Sequence, residues 1–271
     1  LTGDTGYFDL PRNMIDRILE QGMDADFDEM ASHMSIYQHY IGVERALGAD
    51  RRTFLVPFRY GDQGWMDYQP MQPSFPLNIW NVTEAEEDWA RVDFLRQRSG
   101  YDWNKVAPFR DKGDMNHDEP WIMYLNGKNP DYPEQMLGAA YAQVCHRLAQ
   151  IRADDTDLAS GAHIHLWQQI QPITTEALVQ LTQGCPQVIY YGGMLNARLR
   201  YYDDHRHRPG LPDGTAALVD TIKPGRTAVT LVNLNPSESR SVIVQAGGLA
   251  EHRFNTASYD TSTTPYPGAT G

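Results

Sequence analysis

DYPEQMLGAAYAQVCHRLAQIR, residues 131–152, decides that much of this chain is helix. Asp131 and Glu134 suit an N-terminal cap, and Pro133 suits a first turn, where its missing N–H costs nothing. Ala140, Val144, Leu148 and Ile151 then recur at helical spacing and make an apolar stripe. Working outward, Phe27–Leu47 carries Phe27, Met30, Met34, Ile41 and Leu47 near the same period, with Gly48 as a stop. Thr83–Arg98 opens with a Thr83/Glu86 capping-box spacing, presents Trp89, Val92 and Leu95 on one face, and is followed by Gly100. A shorter helix is predicted over Thr175–Gln183, ending at Gly184.

The texture changes after about residue 211. Ala216–Ile222 and Thr227–Leu234 are rich in β-branched and aliphatic residues. Asn235-Pro236-Ser237-Glu238 is turn chemistry, and Ser239–Gln245 reads as a strand returning from it. His252–Tyr259 is a further strand candidate. The expected fold class is therefore α+β: a mainly helical domain over 1–211 and an antiparallel β-sheet region over 212–271. The two ends, LTGDTGYFDLP and TSTTPYPGATG, read as cuts in a longer protein.

Composition narrows the function classes. The chain has 271 residues and a formal net charge of −12, which opposes binding to phosphate backbones or anionic membrane surfaces. No run of about 18 apolar residues predicts a membrane span. Cys145 and Cys185 do not make a disulfide framework, and Cys145 is expected as a small core residue within its helix. There is no nucleophile elbow, phosphate-binding loop or dinucleotide fingerprint.

Between the helices lie two long segments read as functional loops. Residues 100–130 hold Asp111, Asp114, His117, Asp118 and Glu119, followed by Trp121 and Tyr124. Carboxylates and a histidine beside aromatic rings suit proton transfer to a flat polar substrate, with burial driving the pKa values apart. The same acids also suit loop and helix caps in solvent. Residues 57–80 hold Tyr60, Asp62, Trp65, Asp67 and Tyr68, with glycines at 61 and 64. The rings offer stacking faces and the acids offer hydroxyl acceptors or a base; a packed structural loop is the competing reading. A similar G-D-x-G-aromatic pattern occurs at Gly3–Phe8.

Two further groups are candidates. His163 and His165, before Trp167, would share one face of a strand and approach a metal ion, although zinc needs a third ligand. His205 and His207 repeat the spacing in a charged turn. Arg198 and Arg200 could hold a substrate carboxylate, or pair with the chain's own acids.

A helix-rich sequence with aromatic, acidic loops that passes into a C-terminal β region resembles carbohydrate-active enzymes built on an α/α toroid and a β-sandwich. Glycoside hydrolases and polysaccharide lyases belong to that group. The resemblance implies a toroid-like helical region and cleavage of a glycosidic bond in an acidic, aromatic cleft. As a hydrolase, the protein would use two carboxylates from Asp62, Asp67, Asp114, Asp118 and Glu119. As a lyase, it would use a base such as Tyr60, His117, Tyr124 or His163. Tyr60, Trp65, Tyr68, Trp121, Tyr124, Trp167 and Arg198 would contact the carbohydrate. Hydrolysis needs no cofactor, while a lyase would want a divalent cation. A glycan-active protein would work outside the cytoplasm, in the extracellular or periplasmic space. Two alternatives stand beside this: a non-catalytic glycan-binding or assembly subunit packing against another chain through its loops, and a metal-dependent hydrolase centred on His163 and His165.

Overall fold

A computed structural model describes residues 4–28, 48–60, 66–106, 118–157, 159, 170–187 and 197–261. Among these residues the fold is mixed α+β, with six α-helices and three small antiparallel sheets. After a 3-10 turn at Thr5–Phe8, capped by the Asp4 carboxylate, helix α1 spans Asp9–Glu20. Strands β1 (Met23–Asp26), β2 (Arg52–Tyr60) and β3 (Met66–Gln69) form the first sheet in that order. Helices α2 (Ser74–Thr83) and α3 (Glu86–Arg98) follow. Then come α4 (Asp118–Leu125), α5 (Tyr132–Ala153) and α6 (Glu176–Gln183).

The C-terminal strands are β4 (Leu199–Asp203), β5 (Arg208–Pro209), β6 (Thr215–Lys223), β7 (Arg226–Asn233) and β8 (Val242–Ala246). β6 and β7 pair as a hairpin through a turn in which Gly225 takes a positive φ of 66°. The expected return of Ser239–Gln245 onto the preceding strand is not made. Instead β8 leaves β7 and pairs with β4, Leu199 opposite Ala246. The Asn235 turn is real, since its side chain accepts from the N–H groups of Ser237 and Glu238. A turn reverses the chain without choosing which strand edge receives it. Strand pairing therefore runs across position 211/212. His252–Tyr259 is exposed and irregular, not a strand.

Several helix boundaries match their chemistry. Pro133 lies in the first turn of α5, and α6 ends on Gly184 in the left-handed conformation. The capping box at Thr83 is not formed. Thr83 ends α2, Glu84 adopts φ 56°, and α3 starts after Ala85. The Thr83 hydroxyl accepts from the Ala85 N–H and donates to Asp88 at 2.6 Å. The segment 57–80, expected as one long loop, contains the end of β2, all of β3 and most of α2. Apart from Phe27 and Asp28, the helix expected over Phe27–Leu47 lies outside the described residues.

The core gathers Phe54, Leu77, Trp80, Val92, Trp121 and Met136, joined by Leu199 and Val219 of the C-terminal strands. Ring contacts knit it, with Phe54 edge-on to Phe94 at 5.3 Å and Trp80 tilted on Trp89 at 5.0 Å. Gly100 (φ 72°) lets the chain pass over β2, because a Cβ there would stand 1.9 Å from the Arg52 carbonyl oxygen. One buried charge organises α1 against α3. Asp88, fully buried, accepts two hydrogen bonds from Arg12 at 2.8 and 2.6 Å and one from Arg91 at 2.7 Å. Arg91 also grips Asp16 through Nε and Nη2, one edge of its guanidinium.

α5 departs from its expected packing. Its buried face carries Tyr132, Met136, Ala140, Gln143 and Arg147. Leu148 and Ile151, expected to point inward, are exposed, and so is Cys145. Both cysteines are free thiols, and the buried one is Cys185.

Candidate active site

Asp118 and Glu119 begin α4, where carboxylates complement the positive end of a helix dipole. Both are buried, at 1% and 9% exposure, so neither is the solvent-facing cap that a loop acid would be. Asp118 Oδ1 accepts from the Gln187 backbone N–H at 3.0 Å and from Gln180 Nε2 at 3.4 Å. Gln180 Oε1 in turn accepts from Gln187 Nε2 at 3.0 Å and from the Tyr132 hydroxyl. On the neighbouring carboxylate, the Tyr101 hydroxyl donates to Glu119 Oε1 at 3.0 Å.

Burial sets the protonation of this group. Removal from water pushes the Glu119 carboxyl up to about 7, against the lowering effect of its backbone N–H and of Tyr101. Burial and the Glu119 charge hold the Tyr101 phenol well above its ordinary value. Tyr132 is raised in the same way, by burial and then by Asp118 and Glu119. Burial, followed by the Asp118 charge, takes the Cys185 thiol to about 12, so it is a neutral thiol and not a nucleophile near pH 7. Trp121 Nε1 and Gln187 Oε1 are also buried, with no hydrogen-bond partner among the described residues.

Tyr101 connects this polar group to a pocket. The pocket is small, about 10 Å³, partly open, and lined by Thr53, Phe54, Met71, Leu95, Tyr101 and Trp103, among others. Its polar wall is internally paired, Thr53 bonding the Ser99 carbonyl and Trp103 Nε1 bonding Ser99 Oγ. Its accessible surface is about as polar as apolar, with the Tyr101–Glu119 pair behind one side.

The expected site residues divide into three groups. Asp118, Glu119, Trp121 and Tyr124 lie together on α4. Trp121 is completely buried, so its faces pack in the core and are not open to a sugar. The Tyr124 hydroxyl donates to Asp220 of β6 at 3.2 Å, and burial followed by that charge raises its pKa. It joins helix to hairpin, and a phenol so held is a poor base. Tyr60, Asp67 and Tyr68 lie on the β2–β3 hairpin, Tyr60 opposite Met66 and Tyr68 opposite Pro57. Arg198 stands apart. It pairs with Glu84 at 2.7 Å and donates to the Asn81 carbonyl, which leaves its guanidinium inside the protein and not presented to a substrate. Arg200 donates to the Gly248 carbonyl at 3.1 Å. Asp62, Trp65, Asp114, His117, His163, His165 and Trp167 lie outside the described residues. Among the described residues no three His, Cys, Asp or Glu side chains converge as a metal site, and His205 and His207 occupy an exposed turn.

Sequence reasoning missed Tyr101, Tyr132, Gln180 and Gln187. Gln180 and Gln187 reach Asp118 across 62 and 69 positions, and no local spacing announces that. The one local signal was Gly100-Tyr101-Asp102-Trp103, aromatic residues following a helix stop.

A family described as a domain of unknown function, DUF8034, matches residues 1–179. The chain belongs to the DUF8034 family. The match spans Tyr101, Glu119 and all of α5, and it stops within α6, before Gln180, Cys185 and Gln187. No curated protein and no solved structure matches the chain. No helix among the described residues is long and apolar enough to cross a membrane.

Proposed function

We propose that the protein is a glycan-processing enzyme that cleaves a glycosidic bond by acid/base chemistry, with Glu119 as its proton donor. The observation that carries this reading is the Glu119 carboxyl itself. It is buried, bonded by Tyr101 beside an aromatic pocket, and raised to about 7. A group with that value still holds its proton near neutral pH and gives it up readily, which is what a leaving glycosidic oxygen requires. Of the rings at this pocket, Tyr101 is the partly exposed one and would supply the surface for an apolar face of a sugar, while Phe54 and Trp103 are buried.

Hydrolysis needs a second carboxylate as base or nucleophile. Asp62, Asp67 and Asp114 are the candidates, since Asp118 Oδ1 is engaged by Gln180 and Gln187. A lyase would use a base, His117 or Tyr60, to remove a proton beside a carboxylate. On this reading the helices form part of a toroid and the C-terminal strands part of a β-sandwich, as in the enzymes that the sequence resembles.

The test is a panel of neutral and acidic glycans, read by release of reducing ends and by ultraviolet absorbance of an unsaturated product. Activity with a rate that falls as pH rises through about 7, and a loss of at least about 100-fold in Glu119→Gln, would support the proposal. Activity that survives unchanged in Glu119→Gln, or inactivity across the panel, would overturn it.

A further inference from the structure

The solvent face of α5 is a pattern without a partner among the described residues. Leu137, Tyr141, Val144, Leu148 and Ile151 follow one another at spacings of four and three. That is the heptad seam of a helix that packs on another helix. Four of these side chains are open to solvent: Leu137 at 43%, Tyr141 at 72%, Leu148 at 37% and Ile151 at 39%. One position on from the seam come Gly138, Ala142, Cys145 and Ala149, all small and all exposed. Small residues beside large ones let two helix backbones approach closely. From Gln135 to Ile151 the only charged residue is Arg147, and it turns inward to the Gln171 carbonyl at 2.6 Å. An uncharged face on a 22-residue helix, about 33 Å long, is larger than scattered surface apolar residues make.

The order of residues along this face identifies its occupant. Read from either end it is nearly the same: Leu137 balances Ile151, Tyr141 balances Leu148, and Val144 sits at the centre. Glu134 stands in the first turn and Arg152 in the last, with exposed Asp131 before the one and exposed Asp154 and Asp155 after the other. Neither Glu134 nor Arg152 makes an ion pair with the described residues. An antiparallel copy of the same helix would set Glu134 of each chain against Arg152 of the other, Leu137 against Ile151, and Tyr141 against Leu148. Such a contact is isologous and closes on itself. A parallel copy would instead place Glu134 against Glu134. The opposed helix dipoles favour the same antiparallel choice.

We infer that the protein forms a two-fold symmetric dimer through antiparallel packing of α5 on α5, with the axis near Val144 and Cys145. The inference is independent of the catalytic reading of Glu119.

Sedimentation of the full chain over a concentration series tests it, with a species of twice the 30.7 kDa chain mass expected at the high end. Tyr141→Glu combined with Leu148→Glu should give a monomer whose circular dichroism and melting temperature match the parent. Glu134→Arg and Arg152→Glu should each weaken association by about fivefold, the weight of two exposed ion pairs, and the double reversal should restore it. A short thiol cross-linker should join two chains through Cys145, and Cys145→Ser should abolish the product, because Cys185 is buried. A monomer at every concentration would overturn the inference. So would a dimer that the two glutamates leave intact, or a double charge reversal that fails to restore association.

Discussion

Burial moves the Glu119 carboxyl from its ordinary value to about 7, and the sign of the effect on stability follows. The folded state holds this proton more tightly than the unfolded chain, whose glutamate titrates near about 4.3. The group therefore favours the folded state fully below about pH 4.3, and that contribution is lost as pH rises through about 7. A shift of this size corresponds to about 4 kcal/mol. Glu119→Gln keeps an acceptor for Tyr101 and removes the titration. Denaturant unfolding should show the variant more stable than the parent above pH 7, with the difference shrinking as pH falls to about 4. Equal pH dependence in the two proteins would contradict the burial argument. Here the residue types were readable in advance: Asp118 and Glu119 stood out in an acidic, aromatic stretch. Their burial was not, because the partners Tyr101, Gln180 and Gln187 come from elsewhere in the chain.

Between elements, the largest polar commitment is Asp88 of α3, held by Arg12 of α1, Arg91 of its own helix and Thr83 of α2. Burial alone would raise its pKa. The hydrogen bonds from Arg12 and Thr83 outweigh burial, so the carboxylate stays below its ordinary range. Its contribution is present above about pH 4 and is lost as pH falls. Asp88→Asn leaves Arg12 and Arg91 without their shared counter-charge, and a loss of about 3 kcal/mol at pH 7 is expected from chemical denaturation. A loss below about 0.5 kcal/mol would show the network to be surface decoration. Element boundaries were legible wherever a proline or glycine had one physical role, as at Pro133 and Gly184. Proline misled at α2, where Pro73 and Pro76 belong to the cap and first turn instead of a loop. On α5 the apolar residues run almost all round, so spacing could not tell the face that meets Trp121's core from the face left to solvent.

At the scale of the whole molecule, the family segment and the folded unit have different limits. The match ends at residue 179, yet Asp118 takes its hydrogen bonds from Gln180 and Gln187, and Leu199, Tyr201 and Val219 complete the core. A chain cut after residue 179 also severs α6 and strips away β6, which packs on it. Such a truncation should lack a cooperative thermal transition, whereas residues 1–261 should keep one. Calorimetry of the two chains checks this, and a native-like transition in the shorter one would make the C-terminal strands an appendage. The β6 and β7 strands were visible in composition, but the β1–β3 sheet inside the region read as helical was not. Nor was the closure of β8 onto β4, since strand edges carry no address in sequence.

That closure has a consequence for biosynthesis. The hairpin of β6 and β7 joins neighbours and can form as soon as it leaves the ribosome. The last strand of the other sheet is Val242–Ala246, so β4 keeps an open edge while more than forty later residues are still being made. During that interval β4 is paired only with the two-residue β5, and its other edge is a template for association with other unfinished chains. Aggregation should therefore be greater for unfinished products that contain β4 and end shortly before Val242 than for those that extend past Ala246.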